Sequence, residues 1–242
     1  MAHSLTMAQF DEEQYYSCEF WNERYKKLAE TKGFHHYDWL LTWKDLKTFL
    51  KAYLDKKMNI LMIGAGTSRM SYDMHEEGYL QITNIDFAES VVQMMKDKYP
   101  AINYHHLDAR QMDVFGDNEF ALVIDKGTLD CVLCNEDAEV QAKNMMEEVR
   151  RVLAENGLYI LISHGRPSYR LSFLKPFLEA NIRVDCIEKC FGCQDSPTDT
   201  DFHIDAWIYV CLNNLTGALM QQPARTSTSA RSRSPSRSHA ER

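Results

Sequence analysis

MNILMIGAGTSRM, residues 58–70, decides the fold. An apolar strand from Ile60 to Ile63 runs directly into Gly64-Ala65-Gly66, and a second strand, QITNID, ends at Asp86, twenty residues after Gly66. A glycine turn after a buried strand lets backbone approach a ligand closely, and a carboxylate at the tip of the next strand can accept hydrogen bonds from two ribose hydroxyls. A dinucleotide fingerprint would place a third glycine three residues after the second, for close helix packing, but that position is Arg69. The turn therefore suits a nucleoside cofactor without a pyrophosphate. S-adenosylmethionine (SAM) fits, with its amino-acid end on the turn and its ribose on Asp86. Taken alone, the stretch also fits other nucleosides or a tight turn with no ligand.

Outward from this stretch, strand and helix patterns alternate. Strands are expected at 58–63, 81–85, 102–106, 120–124 and 158–163, with helices between them at about 68–77, 88–98 and 138–153. Two helices precede the first strand, around CEFWNERYKKLAE and over WLLTWKDLKTFLKAYL (39–54). The second carries Leu40, Trp43, Leu46, Leu50 and Leu54 on one face. Asn156-Gly157 is expected to cap the long helix in a left-handed conformation. A helix at about 169–180 and two closing strands, IRVDCIEKC and HIDAWIYVCLN, complete the pattern. Alternation of this kind implies an α/β fold: a Rossmann-like, mostly parallel seven-stranded sheet with an antiparallel hairpin at its C-terminal edge. The expected organisation is a flexible N-terminus (1–17), one catalytic domain (18–214) and a disordered Arg/Ser-rich tail (221–242) with no large apolar residue to bury.

Ligands of open parallel sheets sit at the carboxyl ends of the strands. Four such ends carry chemistry: Gly64 to Gly66, Asp86-Phe87, Asp108-Ala109, and Asp125-Lys126-Gly127. Asp86 is placed for the ribose and Phe87 for one face of the adenine. Asp108 can accept the adenine amino group while the backbone at Ala109 reads a ring nitrogen. Asp125 and Lys126 would border the methyl group and the amino-acid moiety. Each acid alone could merely cap the helix that follows it; four such strand ends in sequence order make a site the stronger reading.

DKGTLDCVL (125–133), with FWNERY (20–25), YDWL (37–40) and LMIGAGTSRMSYDM (61–74), resembles the seven-stranded SAM-dependent methyltransferases that modify translation elongation factor 1-alpha. The resemblance spans roughly 18–212. It implies a protein methyltransferase acting on a lysine side chain, with that elongation factor as protein substrate. It also implies that N-terminal aromatic residues help enclose the cofactor, which carries over to Trp21, Tyr25 and Trp39; Trp43 reads as core. The shared cofactor positions are Gly64, Asp86, Phe87, Asp108, Ala109 and Lys126. The turn departs from many relatives at Ala65 and Thr67, and the stretch 190–203 looks individual. A methyltransferase of small molecules is the alternative.

Lysine must lose a proton before it can attack, and Asp125 and Asp130 are the candidate catalytic carboxylates to assist. The chain lacks the Asn-Pro-Pro-aromatic strand end that grips planar amides, which argues against DNA adenine and glutamine side chains. The net charge of −8 divides into +4 on the tail from Gln221 to Arg242 and −12 on the rest. An acidic body repels phosphate backbones and attracts basic proteins, so no nucleic acid is expected as direct partner. No apolar run of about 18 residues is present and the start, MAHSLTMAQFDEE, is not signal-like. A monomeric protein of the cytoplasm or nucleus, with no membrane partner, is expected. The seven cysteines are odd in number and scattered, which reads as reduced thiols. Cys186, Cys190 and Cys193 with His203 lack the two close pairs that zinc prefers, so no metal is expected.

Overall fold

The computed structural model describes residues 14–32, 34–178, 181–191 and 202–213. Two helices, α1 (Cys18–Lys32) and α2 (Trp43–Leu50), lead into β1 (Ile60–Ile63), α3 (Met70–Glu76), β2 (Ile82–Asp86), α4 (Glu89–Lys98), β3 (Asn103–His106) and β4 (Phe120–Lys126). The chain continues through α5 (Thr128–Val132), α6 (Ala138–Val152), β5 (Leu153–Ser163), α7 (Pro167–Leu174), β6 (Asn181–Phe191) and β7 (Phe202–Leu212). All seven strands form one sheet in the order β3-β2-β1-β4-β5-β7-β6. The first five are parallel; β7 inserts antiparallel between β5 and β6. Strand order reverses between β1 and β4, so the carboxyl ends of these two strands flank the crevice where such sheets bind ligands.

Both sheet faces are covered, and the alternation along each strand shows how. Leu61, Ile63, Val123, Tyr159 and Leu161 face α5, α6 and α7, with Met145, Met146 and Val149 of α6 against them. Ile60, Met62, Leu122, Ile124, Ile160 and Ile162 face the other way, onto Leu46 and Leu50 of α2 and Met70 and Met74 of α3. Residues buried on both faces explain why these strands read as continuous apolar runs. Trp43, at 4 % exposure, belongs to the second cluster.

Several boundaries differ from expectation, and three helices show a local reason. Helix α2 begins at Trp43 because Thr42 caps it: the Thr42 hydroxyl accepts from the Asp45 amide, and the Asp45 carboxylate accepts from the Thr42 amide, a reciprocal box. Residues 39–41, expected as helix, turn away instead, with Leu40 at φ 62° and the Leu41 amide donating to the Trp39 carbonyl (2.8 Å). Helix α6 ends at Val152 without a glycine cap. Asn156 does adopt a left-handed conformation (φ 61°), but within β5, where its amide donates to the Asn213 carbonyl. Helix α7 covers Pro167–Leu174, starting earlier and ending sooner than 169–180 because Pro167 opens it at its first turn. The expected Arg/Ser tail, residues 1–13 and the stretch 192–201 lie outside the described residues. Residues 14–17 are among the described residues, and Tyr15 is 5 % exposed.

Candidate cofactor site

A cavity of about 480 Å³ opens at the carboxyl ends of β1, β2 and β4. Its floor is the turn 64–66. Gly64 and Gly66 both hold positive φ (58° and 53°), and neither tolerates a side chain. A Cβ on Gly64 would lie 2.0 Å from Oγ1 of Thr128, and one on Gly66 would lie 2.9 Å from the Tyr25 hydroxyl. Thr128 fills its space because its hydroxyl donates to the Ile63 carbonyl (2.9 Å), tying α5 to the end of β1. Thr128 thus supports the glycine turn as well as lining the cavity.

Asp86 closes the turn on the other side. Its Oδ2 accepts from the Gly66 amide (2.8 Å) and its Oδ1 from the Ala88 amide (2.9 Å). Burial pushes its carboxyl up to about 6, against the downward pull of those two N–H groups and of His106. A carboxylate has about four lone-pair sites, so two remain for ribose hydroxyls. Asp108 also lines the cavity, where Arg110 grips it through Nε and Nη2 (2.9 and 2.6 Å). Gln141 in turn accepts from Arg110 Nη1 (2.8 Å), fixing the guanidinium.

The roof comes from the N-terminal segments. Trp21 stacks on Tyr25 at 5.6 Å, Tyr15 meets Trp39 edge-on at 6.1 Å, and the Trp21 indole N–H donates to the Tyr15 carbonyl (2.7 Å). Trp39 lies against Gly127, which has φ 84° and whose Cβ would be 2.7 Å from the indole. Lys126 was expected to meet the cofactor carboxylate. It lines the cavity, yet its ammonium donates to the Trp39 carbonyl (3.0 Å) and lies 3.4 Å from Asp38, so it also anchors the roof. His36 makes a second anchor: its Nδ1 is 3.0 Å from the Thr67 carbonyl and its Nε2 is 2.6 Å from the Tyr99 hydroxyl.

Nine of the expected residues, Trp21, Tyr25, Trp39, Gly64, Asp86, Phe87, Asp108, Ala109 and Lys126, line this one cavity. Asp125 and Asp130 do not. Asp125 is fully buried, its carboxylate accepting from the Thr128 and Leu129 amides and from the Tyr159 hydroxyl (2.9 Å). Burial pushes it up to about 7, so near neutrality it is partly protonated behind the cavity wall. Asp130 faces away, toward Ser163, His164 and Arg170. Residues that the sequence reading missed include Tyr15, His36, Thr67, Thr128 and Cys131, all in the lining. Only Thr128 left a signal, as the residue after a glycine at a strand end. Among the described residues no group of three or more metal-ligating side chains converges. Cys186 is exposed on β6, and residue 193 is outside the described chain.

The chain's residues 61–161 match a methyltransferase domain family. Over 204 residues it is 31% identical to the eEF1A lysine and N-terminal methyltransferase of Danio rerio, an alignment covering 82% of this chain and 28% of that protein. It is 28% identical over 169 residues to EEF1A lysine methyltransferase 4 of Mus musculus, covering 65% of each. The chain thus spans about a quarter of the length of the larger relatives it matches. A solved putative methyltransferase from Bacillus halodurans superposes with a TM-score of 0.55 at 13% identity, covering 70% of this chain and 98% of that one, a likeness of fold. The match to a methyltransferase domain supports S-adenosylmethionine as the cofactor. The residues present fit it: a side-chain-free turn for the amino-acid end, a carboxylate with unused lone pairs for the ribose, and an acid and an aromatic ring for the adenine.

Proposed function

We propose that this chain, a SAM-dependent methyltransferase related to those that act on eEF1A, methylates a lysine side chain of a basic protein, with eEF1A as the candidate substrate. The observation that carries the reading is the similarity to named eEF1A methyltransferases over 82% and 65% of this chain. Bound SAM supplies an electrophilic methyl group on a sulfonium. What the chain itself must do is hold that group, admit an amine and exclude water. Gly64 to Gly66, Asp86, Phe87, Asp108 and Ala109 hold it. Tyr15, Trp21, Tyr25 and Trp39 line it and exclude water over it. A lysine at pH 7 must give up its proton at a cost of about 4.6 kcal/mol, which an apolar roof lowers by disfavouring the ammonium.

Charge complementarity supports a protein acceptor, since a body at −12 steers basic partners toward itself. The test is to incubate the protein with labelled SAM and purified eEF1A, and in parallel with a cell lysate. The expected result is a labelled elongation-factor band, the added methyl mapping to a lysine by mass spectrometry, and a rate that falls as salt rises toward ~0.5 M, where surface charges are screened. Label confined to small molecules would defeat the reading.

A further inference from the structure

One buried hydroxyl of the cofactor cavity has no partner. Tyr25, on α1, is 8 % exposed and lines the cavity. Its ring is held from two sides: Trp21, one helical turn earlier, stacks on it at 5.6 Å with the planes 30° apart, and Ala88, Val91 and Val92 around the start of α4 share its apolar cluster. The ring is therefore not free to swing. Its hydroxyl reaches the glycine turn, where a Cβ on Gly66 would lie 2.9 Å from it. Yet among the described residues nothing hydrogen-bonds to that hydroxyl.

Such an orphan is uncommon, because buried polar groups are nearly always paired. The serine and threonine hydroxyls of the same wall obey the rule: Thr67 accepts from the Tyr37 amide (3.2 Å), Ser68 donates to Asp38, and Thr128 donates to the Ile63 carbonyl (2.9 Å). What faces the Tyr25 hydroxyl in a filled cavity is the ligand. Which part of the ligand follows from the turn. Gly64 suits the amino-acid end and Asp86 the ribose, and Gly66, whose amide donates to Asp86 (2.8 Å), is the end of the turn nearest that acid. A hydroxyl above Gly66 thus stands between the two, opposite the middle of a SAM molecule, which is its sulfonium. Burial first, then Asp86 and the Cys131 thiol beside it, push the Tyr25 pKa well above the ordinary tyrosine value, so the group stays a neutral hydroxyl. Its oxygen offers lone pairs to C–H groups polarised by a neighbouring cation. A neutral thioether polarises them far less.

We infer that the Tyr25 hydroxyl is a specificity-determining group, whose oxygen accepts C–H contacts from the sulfonium methyl and makes the cavity favour the methylated cofactor over its demethylated thioether, S-adenosylhomocysteine. The inference rests on the cofactor assignment alone and holds for any methyl acceptor. Loss of the methyl removes the positive charge that the oxygen faces, so the contact weakens once transfer is complete and the spent cofactor is held less firmly than the fresh one.

Tyr25→Phe keeps the ring and its stacking and removes only the oxygen. Calorimetric titration of SAM and of S-adenosylhomocysteine into the wild-type protein and the variant reads the selectivity without any turnover. The variant should bind SAM about fivefold more weakly and S-adenosylhomocysteine within about twofold of wild type. A second readout uses SAM with an isotope-labelled methyl group. Its bound methyl proton resonance should lie downfield in the wild-type protein, where an oxygen contact deshields it, and move upfield in Tyr25→Phe. Equal weakening of both ligands would put the hydroxyl on the ribose or the amino-acid end, which the two share, and would overturn the inference. Unchanged SAM affinity, or a methyl resonance that does not move, would overturn it as well. If the wild-type protein binds neither ligand, the cofactor assignment itself fails and the inference falls with it.

Discussion

Asp86 has two tasks that pull in opposite directions. It must accept the Gly66 and Ala88 amides to shape the turn, and it must present negative charge to ribose hydroxyls, yet burial favours its neutral form, with a pKa of about 6. Ribose hydroxyls donate, so the cofactor selects the ionised carboxylate and should lower its pKa. SAM affinity should therefore rise about tenfold from pH 5 to pH 7, and binding at pH 6 should release protons, visible as a buffer-dependent heat in calorimetric titration. Asp86→Ala should weaken SAM by ~2–4 kcal/mol and abolish the pH dependence. A flat profile in the wild-type protein would place the ribose elsewhere. The spacing from glycine turn to acid made Asp86 legible, because both ends of the interval lie on strands with unambiguous apolar runs. Asp125 and Asp130 were not legible in the same way. An acid at a strand end reads alike whether it faces a ligand or the interior, and the partners that settle the matter, Tyr159 and Arg170, lie 34 and 40 residues further on.

At the scale of elements, the roof depends on a turn that few sequences adopt. Leu40 carries φ 62° at the centre of a tight three-residue turn, which costs roughly 1–3 kcal/mol for a residue with a side chain. That turn delivers Trp39 onto Gly127, and Lys126 holds it there through the Trp39 carbonyl. Gly127→Ala should therefore both strain the backbone at φ 84° and push the indole off its seat. We expect a loss of ~2–4 kcal/mol in stability by chemical denaturation and at least a tenfold weaker SAM affinity. Adding Trp39→Ala should recover part of the stability but none of the affinity. The apolar periodicity of 39–54 suggested one long helix, but the helix covers only Trp43–Leu50: residues 39–41 are needed elsewhere, and 51–54 leave the helix before β1. The Thr42-x-x-Asp45 box that starts the true helix is visible in the sequence. His36 and Tyr15 gave no such sign, since an aromatic residue in a short helix or loop fits a core as well as a cavity.

For the whole molecule, two buried acids set how stability answers pH. Asp86 and Asp125 are raised to about 6 and about 7, so folding favours their protonated forms. The stability they contribute is complete below the ordinary carboxylate pKa of ~3.9 and is lost as pH rises through 6 to 7. Asp130 is lowered and acts in reverse, its contribution present above the ordinary range and lost in acid. Cofactor-free protein should accordingly melt several degrees lower at pH 8 than at pH 5. Asp125→Asn keeps an acceptor for the Thr128 and Leu129 amides and can donate to the Tyr159 oxygen, so it should flatten the upper part of that decline in a calorimetric melt. A decline identical to wild type would show that Asp125 titrates as an ordinary surface acid.

The roof and the wall it rests on are distant in time as well as in sequence. Trp39 is synthesised 87 residues before Lys126. At roughly 5–20 residues per second, the ribosome takes about 4–17 s to make the partner after the first aromatic segments have been made. Through that interval Tyr15, Trp21 and Trp39 have no β4 end to close upon, and their rings are an apolar surface on a growing chain. The cofactor chamber is thus sealed by segments made well before the wall they close upon, and only after β4 has been made.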